Sequence, residues 1–359
     1  MLPRLVLVGT GPTHLLLLEA LAHRREPERE AILVSSVPTE MSPGVLPGLL
    51  AGRYRPSEVG INLERLAQNA GVRLTHGEVK TIDPANRTIR LATGETLLYN
   101  AASVAPAPYP SSSKVPGASQ HARFINTLDT AMDLVPALES VVREVPEQTA
   151  RVAVIGGSPE ALEVAMTLRS VLDRLAEGKG VVTLIAAAHA IWRERGISAK
   201  LAESALRRND ITAILGAKVT EVLPRQLQLS NGARIPFDML VWASGDDLPN
   251  VVDEHLQSTD GPGLFMAGEV VIKRDEQLER VGVEPHEGAR VIAENLLAVL
   301  GGRHPTRSYR SRKRMTLAET GRDTAMLTYG ALGIQGKWLM ALKQRSDRKL
   351  MRRLSQPST

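Results

Sequence analysis

Two stretches of the chain share the same order of apolar and polar positions. The first opens with the apolar run 4–8, which leads through glycines into a helical stretch from Leu15 to Ala22 and a second apolar run at 31–35. The other opens at 151–155 and has the same sequel. Short apolar runs bounded by glycines are typical of buried strands. Each stretch therefore predicts a β-turn-α-β unit of about 30 residues.

The two units begin about 147 residues apart, at Arg4 and Arg151, which indicates an internal duplication. We predict an α/β protein with two Rossmann-like dinucleotide-binding domains, the second inserted in the first, and a basic C-terminal segment. The predicted boundaries are 1–118 with 236–304 for the first domain, 119–235 for the second and 305–359 for the C-terminal segment.

The glycines of the first unit favour a dinucleotide site. The first glycine permits a tight turn, the second lets the backbone approach a pyrophosphate, and the following helix directs its amides at that group. A histidine stands where a third glycine or an alanine is usual, and a serine replaces the acidic residue that usually binds the ribose. The alternative is an ordinary turn. The residues expected to contact the dinucleotide are Gly9, Gly11, Thr13, His14 and Ser35.

The second unit has a poorer version of this turn, Gly156-Gly157-Ser158. Ser158 stands where a glycine should let the pyrophosphate approach. After the next strand, 186–188 are alanines, so neither an acid nor an arginine selects between NADH and NADPH. Two interpretations stay open: a working nucleotide site, and a structural domain with weak or no nucleotide binding.

The sequence contains no cysteine, which excludes disulfides, thiolate catalysis and cysteine-ligated zinc or iron–sulfur clusters. Redox chemistry would need a bound organic cofactor, and no metal site is predicted. No apolar run reaches the roughly 18–20 residues of a membrane-spanning helix, and the first residues lack the pattern of a signal peptide. We therefore expect a cytoplasmic protein.

Charge is distributed unevenly along the chain. Residues 303–359 hold fourteen Lys and Arg and three acidic residues, a net charge of +11, whereas the whole chain carries +5. A basic segment on an acidic body favours an anionic partner. If 337–354 is helical, its leucines form one stripe flanked by basic residues, with Trp338 as an interfacial anchor. This predicts peripheral attachment to the inner face of the cell membrane; the alternative is a solvated basic helix. Nucleic acid is not an expected partner, because aromatic residues are not interleaved.

Five segments spread over nearly the whole chain resemble one known family. They are Gly9-Thr-Gly11-Pro-Thr-His14, Ser42-Pro-Gly-Val-Leu-Pro-Gly48, Ala243-Ser-Gly245, Ala267-Gly268-Glu269 and the stretch from Trp338 to Arg353. Together they resemble the FAD-dependent pyridine nucleotide oxidoreductases with two dinucleotide-binding domains. Within that group the chain is most similar to type II NADH:quinone oxidoreductase-like proteins and to the flavoprotein module fused to selenophosphate synthase.

The resemblance implies that the first domain holds FAD. Pro47 and Gly48 would lie beside the flavin, Gly245 at the second junction between the domains, and Gly268 with Glu269 at the ribityl chain. Glu269 replaces the usual aspartate and is one methylene longer.

Further residues follow from the same resemblance. Gly288 and Ala289 precede a helix whose N-terminus would point at the flavin ring, where its dipole would stabilise the reduced anion. Glu163 resembles the family's glutamate near the nicotinamide. His286 is a further candidate proton donor. The alternatives are a simple helix start and an ordinary helix carboxylate.

The resemblance therefore implies electron transfer from NADH or NADPH through FAD to a quinone-like acceptor, without redox cysteines. The alternative is a non-catalytic flavin- or nucleotide-binding protein with a degenerate NAD(P)H site, acting as a sensor or partner module. The sequence leaves open the acceptor, the choice between NADH and NADPH, and the oligomeric state, a homodimer included.

Overall fold

A computed structural model describes residues 2–22, 29–105, 114–125, 127–145, 149–191, 196–243, 250–274, 277–310 and 315–355. Its helices are α1 (Pro12–Ala22), α2 (Leu46–Leu50), α3 (Pro56–Val59), α4 (Leu63–Asn69), α5 (Ala118–His121), α6 (Leu128–Met132), α7 (Leu134–Glu144), α8 (Pro159–Leu175), α9 (Ile197–Arg208), α10 (Pro285–Leu300) and α11 (Lys337–Ser355).

The strands of the first half are β1 (Arg4–Val8), β2 (Glu30–Ser35), β3 (Thr39–Met41), β4 (Gly60–Asn62), β5 (Arg73–His76), β6 (Val79–Asp83), β7 (Thr88–Leu91), β8 (Thr96–Leu98), β9 (Ala101–Val104), β10 (Arg123–Phe124), β11 (Ala150–Ile155) and β12 (Gly180–Ala186). Those of the second half are β13 (Ile211–Leu215), β14 (Val219–Leu223), β15 (Gln226–Leu229), β16 (Arg234–Pro236), β17 (Met239–Trp242), β18 (Asn250–Val252), β19 (Leu264–Met266), β20 (Glu269–Arg274), β21 (Gln277–Gly282), β22 (Met315–Glu319), β23 (Ala325–Tyr329) and β24 (Leu332–Gly336).

A parallel sheet with the order β19-β9-β1-β2-β5 forms the first dinucleotide-binding unit. Its central strand reads Arg-Leu-Val-Leu-Val, and Leu5, Val6 and Leu7 are completely buried. A continuous apolar run is what a strand needs when helices cover both faces of its sheet. The chain reverses direction across the sheet at β1, and such a switch point opens a crevice at the carboxyl ends of the strands.

A second parallel sheet, β10-β17-β11-β12-β13, repeats this arrangement around β11. The predicted α/β fold class is therefore confirmed. One domain boundary needs correction, because Met239–Trp242 pairs with Val152–Ile155 and so belongs to the second sheet. The prediction placed 236–304 in the first domain, because the buried strand gave no sign of its partner.

Antiparallel pieces complete the two units. The structure also contains the three-stranded sheets β6-β7-β8, β14-β15-β16 and β18-β20-β21 and the two-stranded sheet β3-β4. The β3-β4 sheet matters for the site, because its register sets Glu40 opposite Ile61 and leaves Glu40 only 4% exposed beside the first glycine turn.

The C-terminal segment packs against both units. Strands β22, β23 and β24 form an antiparallel sheet, and α11 returns across the first unit. Leu339, Met340, Met351 and Leu354 of α11 are buried. The predicted stripe of leucines is thus largely used inside the protein, because Leu339 and Leu354 pack into cores that the sequence pattern did not reveal.

Among the residues that the structure describes, no helix combines the length and apolar character needed to cross a bilayer.

Candidate functional site

The first glycine turn lies at the switch point of the first sheet. Gly9 has φ +82°, a left-handed conformation that favours glycine, and its amide donates to the Val34 carbonyl at 2.9 Å. The Gly11 amide donates to Ala105 at 3.0 Å, which ties the turn to the end of β9. Helix α1 starts at Pro12 with no acidic residue in its first turn. Pro12 has no N–H, and the amides of His14 and Leu15 donate to the Gly11 carbonyl at 2.8 and 3.3 Å. The backbone amide that this helix start can offer to an anion is therefore that of Thr13, together with the positive end of the helix dipole.

His14 supports this turn from below. The ring is completely buried, with Nδ1 2.8 Å from the Gly9 carbonyl and Nε2 2.9 Å from Ser103 Oγ. Burial lowers the pKa of His14 to about 4, against a smaller opposing effect of the Gly9 carbonyl, so the ring is neutral at pH 7. The predicted contact of His14 with a cofactor is corrected, because both ring nitrogens are already bonded to the protein.

Ser35 also has a local role. Its hydroxyl donates to the Val37 carbonyl at 2.9 Å and faces the Val37 amide at 3.2 Å, which closes a turn after β2. The predicted recognition of a ribose by Ser35 is therefore not supported, since the hydroxyl is buried and bonded within its own loop. Such a local bond is a common alternative use of serine.

The start of α10 differs from its predicted role. The Glu284 carboxylate accepts the amides of His286 and Glu287, so the helix end is already capped by a negative charge. Gly288 lies where a Cβ would be 2.4 Å from Val283 Cγ1 and 3.4 Å from Thr13 Cγ2. Gly288 thus makes room for the Val283 side chain, and a direct action of this helix end on a flavin is not supported.

Four further positions stay predictions, because no contact with a cofactor is tested for them. Gly268 has φ +88°, and its carbonyl accepts the Val283 amide at 2.8 Å. Ala289 is buried in the core of the first unit. The backbone of Glu269 begins β20, but its side chain and all of Gly245 lie outside the described residues.

Pro47 and Gly48 belong to α2, which is buried between the two units. A Cβ on Gly48 would lie 2.2 Å from the Tyr54 ring, so the glycine makes room for that ring. The 42–48 segment approaches the C-terminal helix through the Gly44 carbonyl, which accepts from Lys343 Nζ. Packing against Tyr54 is therefore sufficient to explain why a glycine stands at position 48.

Glu40 is a buried acid in contact with the first turn, and no motif of the sequence indicated it. Thr10 donates its hydroxyl to Glu40 Oε2, and the Met41 amide donates to Glu40 Oε1 at 2.9 Å. Burial raises the pKa of Glu40, and the two hydrogen bonds oppose that shift only in part. The 30 residues between Thr10 and Glu40 left no sequence pattern that links them.

The second glycine turn lies at the switch point of the second sheet, but the residues around it differ from those of the first turn. Gly156 packs where a Cβ would be 2.6 Å from Ala161 Cβ and 3.0 Å from the Ala243 carbonyl, and one on Gly157 would be 3.3 Å from Ala186 Cβ. Ser158 Oγ accepts the Ala161 amide at 3.3 Å and so caps α8. Glu160 adds an acid to the first turn. These features make this helix end less favourable for a pyrophosphate than the start of α1.

Glu163 lies on α8 within a buried cluster of charged residues. Its Oε1 accepts the Glu319 amide at 2.7 Å and lies 3.9 Å from Lys343 Nζ. Lys343 is also 3.0 Å from Asp347 Oδ2, one turn further along α11. Glu163 and Lys343 are 6% and 4% exposed, so the two units and the C-terminal segment meet at a desolvated ion cluster.

Two further residues connect this cluster with the segment after α2. Tyr54 donates its hydroxyl to Asp347 Oδ2 at 3.2 Å, and the Arg348 guanidinium lies 5.8 Å from the centre of the Tyr54 ring. Arg53 pairs with Glu319. Among the described residues, Arg53 Nε and Glu319 Oε1 have no hydrogen-bond partner, and both residues line a cavity of about 40 Å³. A cavity of this size and polarity suits a water molecule.

Burial dominates the protonation of the cluster. It raises the pKa of Glu163 to about 8, although the Lys343 charge and the Glu319 amide pull it down. Burial also raises the pKa of Asp347 against the effect of Lys343. The pKa of Lys343 rises, because the attraction of Glu163 and Asp347 outweighs its own burial. Glu163 is thus mostly protonated at pH 7 and can release its proton as the pH approaches 8.

Comparisons with known proteins agree with this geometry. Two NADH dehydrogenase-like proteins from strains of Mycobacterium tuberculosis are 29% identical to the chain over 232 residues, 58% of this chain. The match likewise spans only 58% of those proteins' own length.

Two solved structures share the fold over almost the whole chain. The sulfide:quinone oxidoreductase of Aquifex aeolicus has a TM-score of 0.76 at 17% identity, over 98% of this chain and 91% of that one. NDH2 of Plasmodium falciparum, in complex with NADH, has a TM-score of 0.73 at 12% identity, over 98% and 97%. A family model described as pyridine nucleotide-disulphide oxidoreductase matches residues 3–289, most of the chain. The predicted family is thereby confirmed: the chain belongs to the pyridine nucleotide-disulphide oxidoreductase family.

Proposed function

We propose that the protein is an FAD-dependent oxidoreductase that takes electrons from NADH or NADPH and passes them to a quinone-like acceptor. The observation that carries the proposal is the first glycine turn, Gly9-Thr10-Gly11, at the switch point of a parallel sheet with a helix start aimed into the crevice. Family membership and the names of the relatives support the choice of flavin and nicotinamide. The acceptor rests on the quinone named for the Aquifex protein.

The residues around the first turn fit the adenine dinucleotide half of FAD. Gly9 adopts a positive φ, and the first turn of α1 carries no acid that would repel a pyrophosphate. Gly11 and Thr13 contribute backbone there, with Gly268 across the crevice. The same test favours the second site less, because Ser158 and Glu160 occupy its helix start.

Bound FAD would supply hydride and electron-transfer chemistry that no side chain of the protein provides. The first turn would hold its pyrophosphate, and His14 keeps that turn in place through the Gly9 carbonyl. Glu163 holds a proton between the units, and Lys343 limits how far the pKa of Glu163 rises. The chain contains no cysteine, so a thiol relay does not take part.

An anaerobic titration tests the proposal. Purified protein is expected to show a flavin absorption spectrum, and NADH or NADPH should bleach it. A Gly9→Val variant should lose the flavin, because valine is strained at φ +82°. The features at Ser158 and Glu160 keep a second candidate in view, a flavin-binding protein without nicotinamide turnover. A flavin spectrum that neither nucleotide bleaches would favour that candidate over the oxidoreductase.

We further propose that the protein binds anionic membranes through the exposed apolar surface of its C-terminal segment. Large apolar side chains there are between 42% and 63% exposed; they are Tyr329, Leu332, Ile334, Trp338 and Leu342. Arg345, Lys349 and Arg352 are exposed on α11, the helix that also carries Trp338 and Leu342. Apolar side chains that insert and basic ones that meet headgroups are the usual combination for peripheral attachment.

A vesicle-binding assay checks this second proposal. Replacing Leu332, Ile334 and Trp338 by serine should reduce binding to phosphatidylglycerol-containing vesicles at least tenfold. The matched control is Leu98→Ser, since Leu98 is 60% exposed on the first unit. Point substitutions are needed because removing α11 would also remove buried core residues. Equal vesicle binding by the triple variant and the control would refute the membrane proposal. It would also be refuted if light scattering showed that wild type is a dimer and the triple variant a monomer, while neither binds vesicles.

A further inference from the structure

Glu40 is a buried carboxyl group in contact with the turn that would hold the FAD pyrophosphate. It is 4% exposed, and its Oε2 accepts a hydrogen bond from the hydroxyl of Thr10, the residue between the two glycines. Its Oε1 accepts the Met41 amide at 2.9 Å. Both contacts come from neutral donors, which stabilise an anion less than a cation does.

No salt bridge reaches Glu40 from the described part of the chain, although buried acids are usually paired with a cation. Of the titratable groups on the elements around β3, His14 is neutral and is bonded to Gly9 and Ser103. Asp129 of α6, which packs on β3, is exposed. Among the residues that the structure describes, no cationic side chain pairs with Glu40 to offset a second negative charge near the carboxylate.

We infer that Glu40 belongs to the cofactor site and carries a proton when the FAD pyrophosphate is bound, so that flavin loading takes up a proton wherever Glu40 is ionised in the free protein. This inference rests on the proposed function, because it needs a pyrophosphate at the first turn. An ionised Glu40 and a pyrophosphate would face each other across Thr10 with little water between them, and like charges in such a place cannot both persist. A protonated Glu40 removes the repulsion.

The direction of the effect follows from linkage. Burial already raises the pKa of Glu40, and the pyrophosphate charge raises it further in the complex. Between the pKa of the free protein and that of the complex, each pH unit weakens FAD binding by up to about tenfold, because the complex holds one proton more. Below the lower pKa, affinity is independent of pH.

The test measures the affinity of the full chain for FAD between pH 5.5 and 9.5. The flavin-loaded protein is diluted, and the fluorescence of the released flavin reports how much has dissociated. ADP, which carries a pyrophosphate, is added as a competitor for the same site. Wild type should lose affinity as pH rises. Glu40→Gln keeps the shape without the charge and resembles the protonated acid: its amide oxygen can accept the Met41 N–H, and its NH2 group can donate to the Thr10 hydroxyl. The affinity of this variant for FAD should be independent of pH and higher than that of wild type at alkaline pH. The matched control is Glu78→Gln, an exposed glutamate of the same unit, which should follow wild type.

A second variant guards against misfolding of Glu40→Gln. Thr10→Val removes a hydrogen bond that lowers the pKa of Glu40, so its fall in affinity should begin at higher pH than in wild type. Two results would overturn the inference and leave the proposed function intact. In one, FAD affinity depends on pH in the same way in wild type and in Glu40→Gln; in the other, the FAD affinity of wild type does not depend on pH. Protein that retains no flavin at any pH would overturn both.

Discussion

Replacing Lys343 by methionine should lower the free energy of unfolding by about 3–5 kcal/mol, the range found when a buried ion pair loses one partner. Methionine preserves much of the volume but leaves Asp347 with the Tyr54 hydroxyl as its remaining partner among the contacts described above. It also removes the donor to the Gly44 carbonyl, which holds the 42–48 segment to α11. Urea unfolding followed by circular dichroism measures the loss.

A control on the same helix separates charge from position. Lys349→Met changes an exposed lysine and should shift the unfolding free energy by less than about 0.5 kcal/mol. Adding Asp347→Asn to Lys343→Met should recover part of the loss, because it removes the unpaired carboxylate. If Lys343→Met and Lys349→Met unfold at the same urea concentration, the ion pair of Lys343 does not stabilise the protein.

Raising the pH from 6.5 to 8 should destabilise the protein by about 1.5 kcal/mol through Glu163. The pKa of Glu163 rises from 4.5 to about 8 on folding, so between these values the folded protein binds one proton more than the unfolded chain. Stability therefore falls as pH rises through this window, by about 1.36 kcal/mol per unit. Between pH 4.5 and 6.5 buried His14 compensates, because its pKa of about 4 makes stability rise with pH there.

The measurement is the free energy of unfolding at half-unit intervals from pH 5 to 9. Glu163→Gln should remove about one proton from the alkaline slope, whereas Glu139→Gln, on the exposed side of α7, should leave it unchanged. Glu40 and Asp347 also have raised pKa values, so a residual slope is expected in Glu163→Gln. An unchanged slope in Glu163→Gln would contradict the assignment of the proton to this residue.

Local patterns predicted the elements around each glycine turn, because a buried parallel strand and the helix after it leave short-range signatures. The strand Met239–Trp242 shows the limit: its apolar run predicts burial but says nothing about which sheet it joins. His14 and Ser35 were assigned to a ligand from their positions in a motif, yet both side chains are bonded to the protein. Position in a motif does not determine where a side chain points.

The long-range contacts of the site had no sequence signal of this kind. Glu319 is 156 residues from Glu163, and its backbone amide, not its side chain, makes the contact. One signal was available in the C-terminal helix, where Lys343 and Asp347 are one turn apart and Leu339, Met340 and Met351 share the buried side. A spaced charge pair on an apolar face indicates a buried ion pair, whereas the net charge of the segment indicated only an anionic partner.

The dependence of Glu163 on Lys343 has a consequence for the order of events during synthesis. Glu163 leaves the ribosome 180 residues before Lys343, and domains begin to fold as they emerge. The second sheet can therefore form while Glu163 has no cation beside it, and the nascent chain carries that acid protonated or hydrated. The C-terminal segment can add its contacts to both units only after translation has passed α11. A chain stalled between residues 320 and 340 would therefore leave Glu163 without Lys343.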